Sequence, residues 1–136
     1  TEIGALPAEL QGATQALHFQ SNCMNSEIAQ LFTSPDNVEK EISCWVYVIR
    51  GNAYMGAGNG GATGPMVGTS LQRQWVHLDA IQPGIASEAI IGTYGLTDGA
   101  DFYVANASVT ATPEPVSMGA LAIGLGTLVL RRKRAR

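Results

Sequence analysis

The sequence predicts an all-β sandwich followed by a single C-terminal transmembrane helix. Three observations carry that expectation. Short β-branched and aromatic runs recur between turn signals. No long helical period occurs before residue 116. An uncharged apolar stretch then runs from 116 to 130, between prolines and a basic cluster. The boundary falls at 112/113, giving a β-sandwich body over 1–112 and a terminal segment over 113–136. About 112 residues are enough for one domain with one core.

The elements follow in order. Ala16-Leu17-His18-Phe19-Gln20 alternates as a half-buried strand does. Glu27 to Phe32 forms the next strand and runs into the turn-like Ser34-Pro35-Asp36-Asn37. Glu41 to Arg50 is the clearest strand of the chain. It sets Ile42, Cys44, Val46 and Val48 on one face, with Trp45, Tyr47 and Ile49 on the other. Asn52 to Met55 reads as a short strand, and Gly56 to Pro65 as a glycine-rich loop. Gln74 to Ala80, Glu88 to Tyr94 and Asp101 to Thr110 give three more strands. The turns Gln82-Pro83-Gly84 and Thr97-Asp98-Gly99 separate them. Trp75 and Phe102 are expected in the core.

The end of the chain has three blocks. Thr112-Pro113-Glu114-Pro115 stops any element before it, because proline neither continues a helix nor donates to a sheet. Val116 to Leu130 carries no charge. Arg131, Arg132, Lys133, Arg134 and Arg136 then form a basic tail, as a stop-transfer anchor does. Fifteen helical residues span only ~22 Å, short of a ~30 Å hydrocarbon core, which alone would suit a buried helix. The flanks favour the membrane. Glycines at 119, 124 and 126 weaken a soluble helix but are frequent in spans, and long basic side chains snorkel.

Charge divides the same way. The chain has 8 Lys+Arg and 11 Asp+Glu, and only Lys40, Arg50 and Arg73 precede the prolines. Residues 1–130 therefore carry −8 and the tail +5. Such a body has no evident use for nucleic acid, whose binding rests on cations neutralising phosphates. The tail suits topology and anionic lipid instead.

The order of prolines, span and basic tail, with Gly124-Leu125-Gly126 inside it, resembles the PEP-CTERM sorting signal of bacterial surface proteins. The resemblance covers Pro113 to Arg136. It implies recognition by an exosortase-type membrane protease, with Pro113, Glu114, Pro115 and Arg131, Arg132, Lys133, Arg134 as the sorting motif. It also implies export to the inner membrane of a Gram-negative bacterium, then release to the cell surface or extracellular matrix. Export calls for an N-terminal signal, and neither an initiator Met nor a signal segment lies in Thr1 to Gln20. A removed signal peptide or a fragment of a longer product is expected.

The body resembles the galactose-binding-like jelly-roll of family 4/9-type carbohydrate-binding modules. Ala16-Leu17-His18-Phe19, Glu41-Ile42-Ser43-Cys44-Trp45-Val46, the strand from Trp75, and Asp101-Phe102-Tyr103-Val104-Ala105-Asn106 match in order over about 13–111. This implies a jelly-roll-like β-sandwich with a sugar cleft on one sheet face. Two departures stand out. Nothing before Ala13 supplies the family's first strand, which implies truncation or an open edge filled by a homo-oligomeric partner. Ala105 replaces an Asp that often helps hold structural calcium, and alanine offers no side-chain oxygen. Asp101 and Asn106 lie nearby, so the expectation is no cofactor, with structural calcium as the disfavoured alternative.

The candidate ligand-binding residues are Trp45 and Tyr47, whose rings suit the apolar faces of sugars, with Arg50, Asn59 and Gln72 as hydrogen-bonding groups. Packing under a loop or the other sheet is the competing use of the two rings. Gly56 to Gly61 fits GxGxxG, but Gly64-Pro65 follows where a dinucleotide site needs a helix. Cys23 and Cys44, the only cysteines, are either a disulfide or two free thiols. His18 and His77 match no metal-ligand spacing. No nucleophile elbow occurs, and no carboxylate pair can be set across a cleft. Asn106-Ala107-Ser108 fits the glycosylation triplet. The leading expectation is a non-catalytic, exported protein that binds carbohydrate at the surface or in an exopolysaccharide matrix. The alternative is a self-associating envelope or biofilm subunit without a sugar site.

Overall fold

A computed structural model describes residues 5–31, 38–58, 65–82, 84 and 87–112. Eight strands form the body: β1 (Leu17–Ser21), β2 (Glu27–Leu31), β3 (Lys40–Arg50), β4 (Ala53–Gly58), β5 (Val67–Thr69), β6 (Trp75–Gln82), β7 (Glu88–Gly92) and β8 (Ala100–Ala111). They make two four-stranded antiparallel sheets, ordered β1-β8-β3-β6 and β2-β7-β4-β5. The pairing is nested: first strand with last, second with seventh, third with sixth, fourth with fifth. Only the β4–β5 connection stays within one sheet; every other connection crosses between the two.

Strand alternation builds the core. Ile42, Cys44, Val46 and Val48 of β3 point between the sheets and are buried. Their neighbours across the pairs are Leu78 and Ala80 of β6 and Phe102 and Val104 of β8. Phe19 stacks on Phe102 with centroids 4.6 Å apart. Ala53, Met55 and Ala57 of β4 close the core from the other sheet.

Three expectations change. Trp75 is not a core residue. Val76, Leu78 and Ala80 take the inward positions of β6, so strand parity turns Trp75 outward, opposite Tyr47. The strand expected at 52–55 runs on to Gly58, into the segment read as loop. Met66 Sδ packs over Gly56 in the space a Cβ would take. The three-residue β5 was not foreseen; Val67-Gly68-Thr69 is too short to show a period. The expected turn at 34–37, Asn59, and the terminal segment 113–136 with its apolar span and sorting motif lie outside the described residues. Among the described residues, no helix is long and apolar enough to cross a membrane.

Polar contacts tie the ends of the sandwich. Asn52 donates to Tyr94 O at 2.9 Å and accepts from Thr93 Oγ1 at 2.8 Å, joining the β3–β4 turn to the segment after β7. At the other end Lys40 is 1% exposed. Its ammonium donates to Val38 O at 3.0 Å and to Gly84 O, bridging the start of β3 to the loop after β6. Lys40→Ala would leave both carbonyls short of a donor, and we expect it to lower stability by about 1–3 kcal/mol in urea unfolding.

Both cysteines are free. Cys44 lies in the core and Cys23 is exposed after β1. Burial pushes the Cys44 thiol up to about 12. An unfolded thiol ionises near ~8.5, so the unfolded chain gives up this proton first. The stability linked to Cys44 is therefore complete below about pH 8.5 and is lost as pH rises towards 12. A thiol reagent at pH 8 should modify one cysteine per folded chain and both in denaturant. Two reactive thiols in the folded chain would contradict this placement.

Candidate functional site

The outward face of the β1-β8-β3-β6 sheet gathers Trp45, Tyr47, Trp75 and Tyr103 together with His18 and His77. Strand register explains why. His18, Tyr103, Tyr47 and Trp75 stand opposite one another, one from each strand, in a row across the sheet. Ala105, Trp45 and His77 form the next row, followed by Ser108, Ser43 and Asp79. Each residue alternates with an inward core residue, so burying one face fixes the composition of the other.

The rings pair closely. His18 stacks on Tyr103 at 4.5 Å, Trp45 lies against His77 at 5.0 Å, and Tyr47 lies against Trp75 at 5.5 Å. Cross-strand aromatic pairs stabilise a sheet and hold each ring at a fixed tilt. Polar groups flank them. Asp101 Oδ1 lies 2.8 Å from His18 Nε2, and Asp101 Oδ2 accepts from Gln20 Nε2 at 3.4 Å. Ser43 and Ser108 hydroxyls meet at 2.9 Å. The outer rim thus carries hydroxyl, amide, imidazole and carboxylate groups beside ring faces.

The middle of this face is covered. Residues 5–16 leave the start of β1 and run over the sheet, with a single 3₁₀ turn at Ala8–Leu10. Leu10 is 1% exposed and is the one fully buried residue of this strap. A gap of about 280 Å³ remains between the strap and the sheet, lined by Leu6, Leu10, Gln15, Trp75 and Ala105. Tyr47 is 4% exposed and Trp75 half-buried. Trp75 Nε1 is buried without a hydrogen-bond partner, which costs roughly 1–3 kcal/mol for such a donor. The hydrogen bonds of the strap are internal: Leu10 to Pro7, Gln11 to Ala8, and Ala13 to Leu10. Burying one leucine supplies roughly 1.5–3 kcal/mol, so the strap is held weakly compared with the strands.

The residues singled out from sequence separate. Trp45 lies half-buried on this face. Tyr47 shares the face but is packed and offers no open ring surface. Arg50 is spent on structure: it donates to Asp98 O, to Ser21 O at 3.3 Å and to Asn22 Oδ1 at 3.3 Å, clasping loops at the end of β3. Gln72 is exposed and forms an isolated parallel bridge with Val48. His18, Gln20, His77, Asp101 and Tyr103 were missed. Their parity was visible, since each alternates with a core residue such as Phe19, Leu78 or Phe102. Among the described residues, no group of three or more His, Cys, Asp or Glu could hold a metal ion.

A second feature lies between the sheets. β8 is twelve residues long and β1 only five, so past the Leu17–Val104 pair β8 has strand neighbours on one side only among the described residues. There the sandwich opens as an apolar cleft of about 470 Å³, lined by Leu17, Ile28, Met55, Ile91, Val104 and Val109. Leu17, Ile28 and Val109 are also exposed at its mouth.

No family model matches this chain, and no curated protein matches it in sequence. Among solved structures it is similar to the EclA C-terminal domain, described as a sugar-binding protein, with 15% identity and a TM-score of 0.49. The match covers 72% of this chain and 79% of that one. So distant a likeness says nothing of what this chain binds.

Proposed function

We propose that the protein is a non-catalytic, carbohydrate-binding β-sandwich that reads sugar rings on the outward face of its β1-β8-β3-β6 sheet. The carrying observation is the pair of aromatic ledges left open on either side of the strap. Trp45 with His77 forms one, and Tyr103 with His18 the other. Flat rings beside Asp79, Ser43, Gln20 and Asp101 offer apolar faces for sugar C–H groups and hydrogen bonds for hydroxyls. The nested strand order supports a jelly-roll reading of the sandwich. In this reading the segment 113–136 is a PEP-CTERM-like sorting signal, and the protein works at the bacterial surface or in an exopolysaccharide matrix after export.

Binding of the full chain to a panel of polysaccharides tests this. Trp45→Ala should weaken binding to its best ligand at least about tenfold, a loss of roughly 1.4 kcal/mol, with the far-UV spectrum unchanged. A folded chain that binds no member of the panel would exclude the reading.

A second reading has its own observation. Asn106 to Ala111 of β8 are all exposed and uncharged, and among the described residues no strand pairs with them on one edge beside the apolar cleft. Natural edges are usually blunted by charge, proline or cover. Two copies could pair these edges antiparallel about a two-fold axis, which supports a self-associating matrix subunit. Val109→Lys should then shift sedimentation of a dimer to monomer without loss of fold, whereas a wild-type chain monomeric at high concentration would exclude this use of the edge.

A further inference from the structure

We infer that the strap at residues 5–16 is a displaceable cover, and that the surface beneath it is the central subsite of the sugar face. The inference rests on the carbohydrate reading and names the part of the site that the closed form hides. Three observations converge on it.

The covered surface has the make-up of a ligand surface. His18, Tyr103, Tyr47 and Trp75 are in register across all four strands, yet only the His18–Tyr103 end of the row lies clear of the strap. Removing the strap would join the two open ledges into one continuous aromatic surface. Ala105, opposite Trp45 and one step diagonal from Tyr47, adds no bulk, so a ring could lie flat there.

The cover is held by little. Among the described residues, no hydrogen bond joins residues 5–16 to the sheet. Leu10 alone is buried; most of its neighbours in the strap are exposed. Gly12 lies two residues after Leu10, at φ +96° with open space around it, a backbone conformation in which a side chain would be strained.

The closed state leaves a polar atom unsatisfied. Trp75 Nε1 is sealed without an acceptor. The strap lines the gap beside Trp75 with Leu6 and Leu10 and also with Thr14 and Gln15, whose oxygens could accept, yet neither bonds the indole. A sugar hydroxyl would accept from the indole while its ring covered Tyr47. The ligand class is therefore a sugar chain that presents an apolar ring face and an adjacent hydroxyl, and its binding competes with Leu10 for the same ground. A ligand that binds only the open form is weakened by the fraction of time the strap is shut.

The test is binding of the full-length chain, its Leu10→Asn variant and its milder Leu10→Ala variant to the polysaccharide that the parent binds best. Acrylamide quenching of tryptophan fluorescence is read in parallel. Loss of the plug should tighten binding about threefold to tenfold and raise quenching, and Trp75→Ala should abolish the gain. If folded Leu10 variants bind no more tightly than the parent, the strap is ordinary packing and the inference falls while the carbohydrate reading stands. If parent and variants all bind nothing, both fall together. If Leu10→Asn does not fold, Leu10→Ala decides.

Discussion

Everything in this molecule turns on the two-residue period of β3. It lies inside its sheet, paired with β6 on one side and β8 on the other, and so fixes the register of three strands at once. Its inward residues Ile42, Cys44, Val46 and Val48 are almost entirely removed from water. A shift of one residue would drive Trp45 and Tyr47 into the core and expose the aliphatic set, an error no repacking could absorb. The aromatic surface is thus a corollary of core formation. Once the aliphatic side is buried, Trp45 and Tyr47 must face out, and the paired strands supply His77, Trp75, Tyr103 and His18 at matching heights.

This dependence explains what could be read in the sequence. Seven of the eight strands were legible as short runs bounded by turn residues, and alternation was clear where one face is buried, as in β3 and β6, but not in β2, which is exposed along its whole length. Cys44 and Phe102 were legible as core for the same reason. Trp75 was misplaced because its size argued for burial, while its parity with Val76 and Leu78 argued the reverse; parity prevailed. For Tyr47 two uses stood open, a sugar-stacking ring or a ring packed under a loop, and no local pattern chose between them. It is 4% exposed, on the face crossed by a strap that carries no strand period. Arg50 looked like a ligand contact because cations often are, but at the end of β3 its nearest acceptors are backbone carbonyls of neighbouring turns. No local pattern announces such a clasp.

The two notable surfaces arise from opposite causes. The outward aromatic face exists because four strands are in register over its whole width. The cleft exists because two strands that ought to match in length do not. Where β8 outruns β1, one sheet edge ends and core residues such as Val104 come within reach of solvent. The bulge at Asn106, with φ +52°, sits at this transition. The extra residue restores the alternation so that Ser108 meets Ser43 on the outer face and Val109 meets Ile42 on the inner one.

The nested order of the strands has a consequence for the time course of folding. Among the described residues β1 pairs with β8 alone, so the first of these eight strands to be made waits for the last. The innermost pair, β4 with β5, can zip as soon as it is made, but the sheet that carries the aromatic face cannot close until residue 111 is available. Such long-range pairing is slow to form. A chain emerging in order, whether from a ribosome or through a membrane pore, can assemble the β2-β7-β4-β5 sheet once β7 is made, but completes the sheet that carries the aromatic face only when β8 joins β1 and β3.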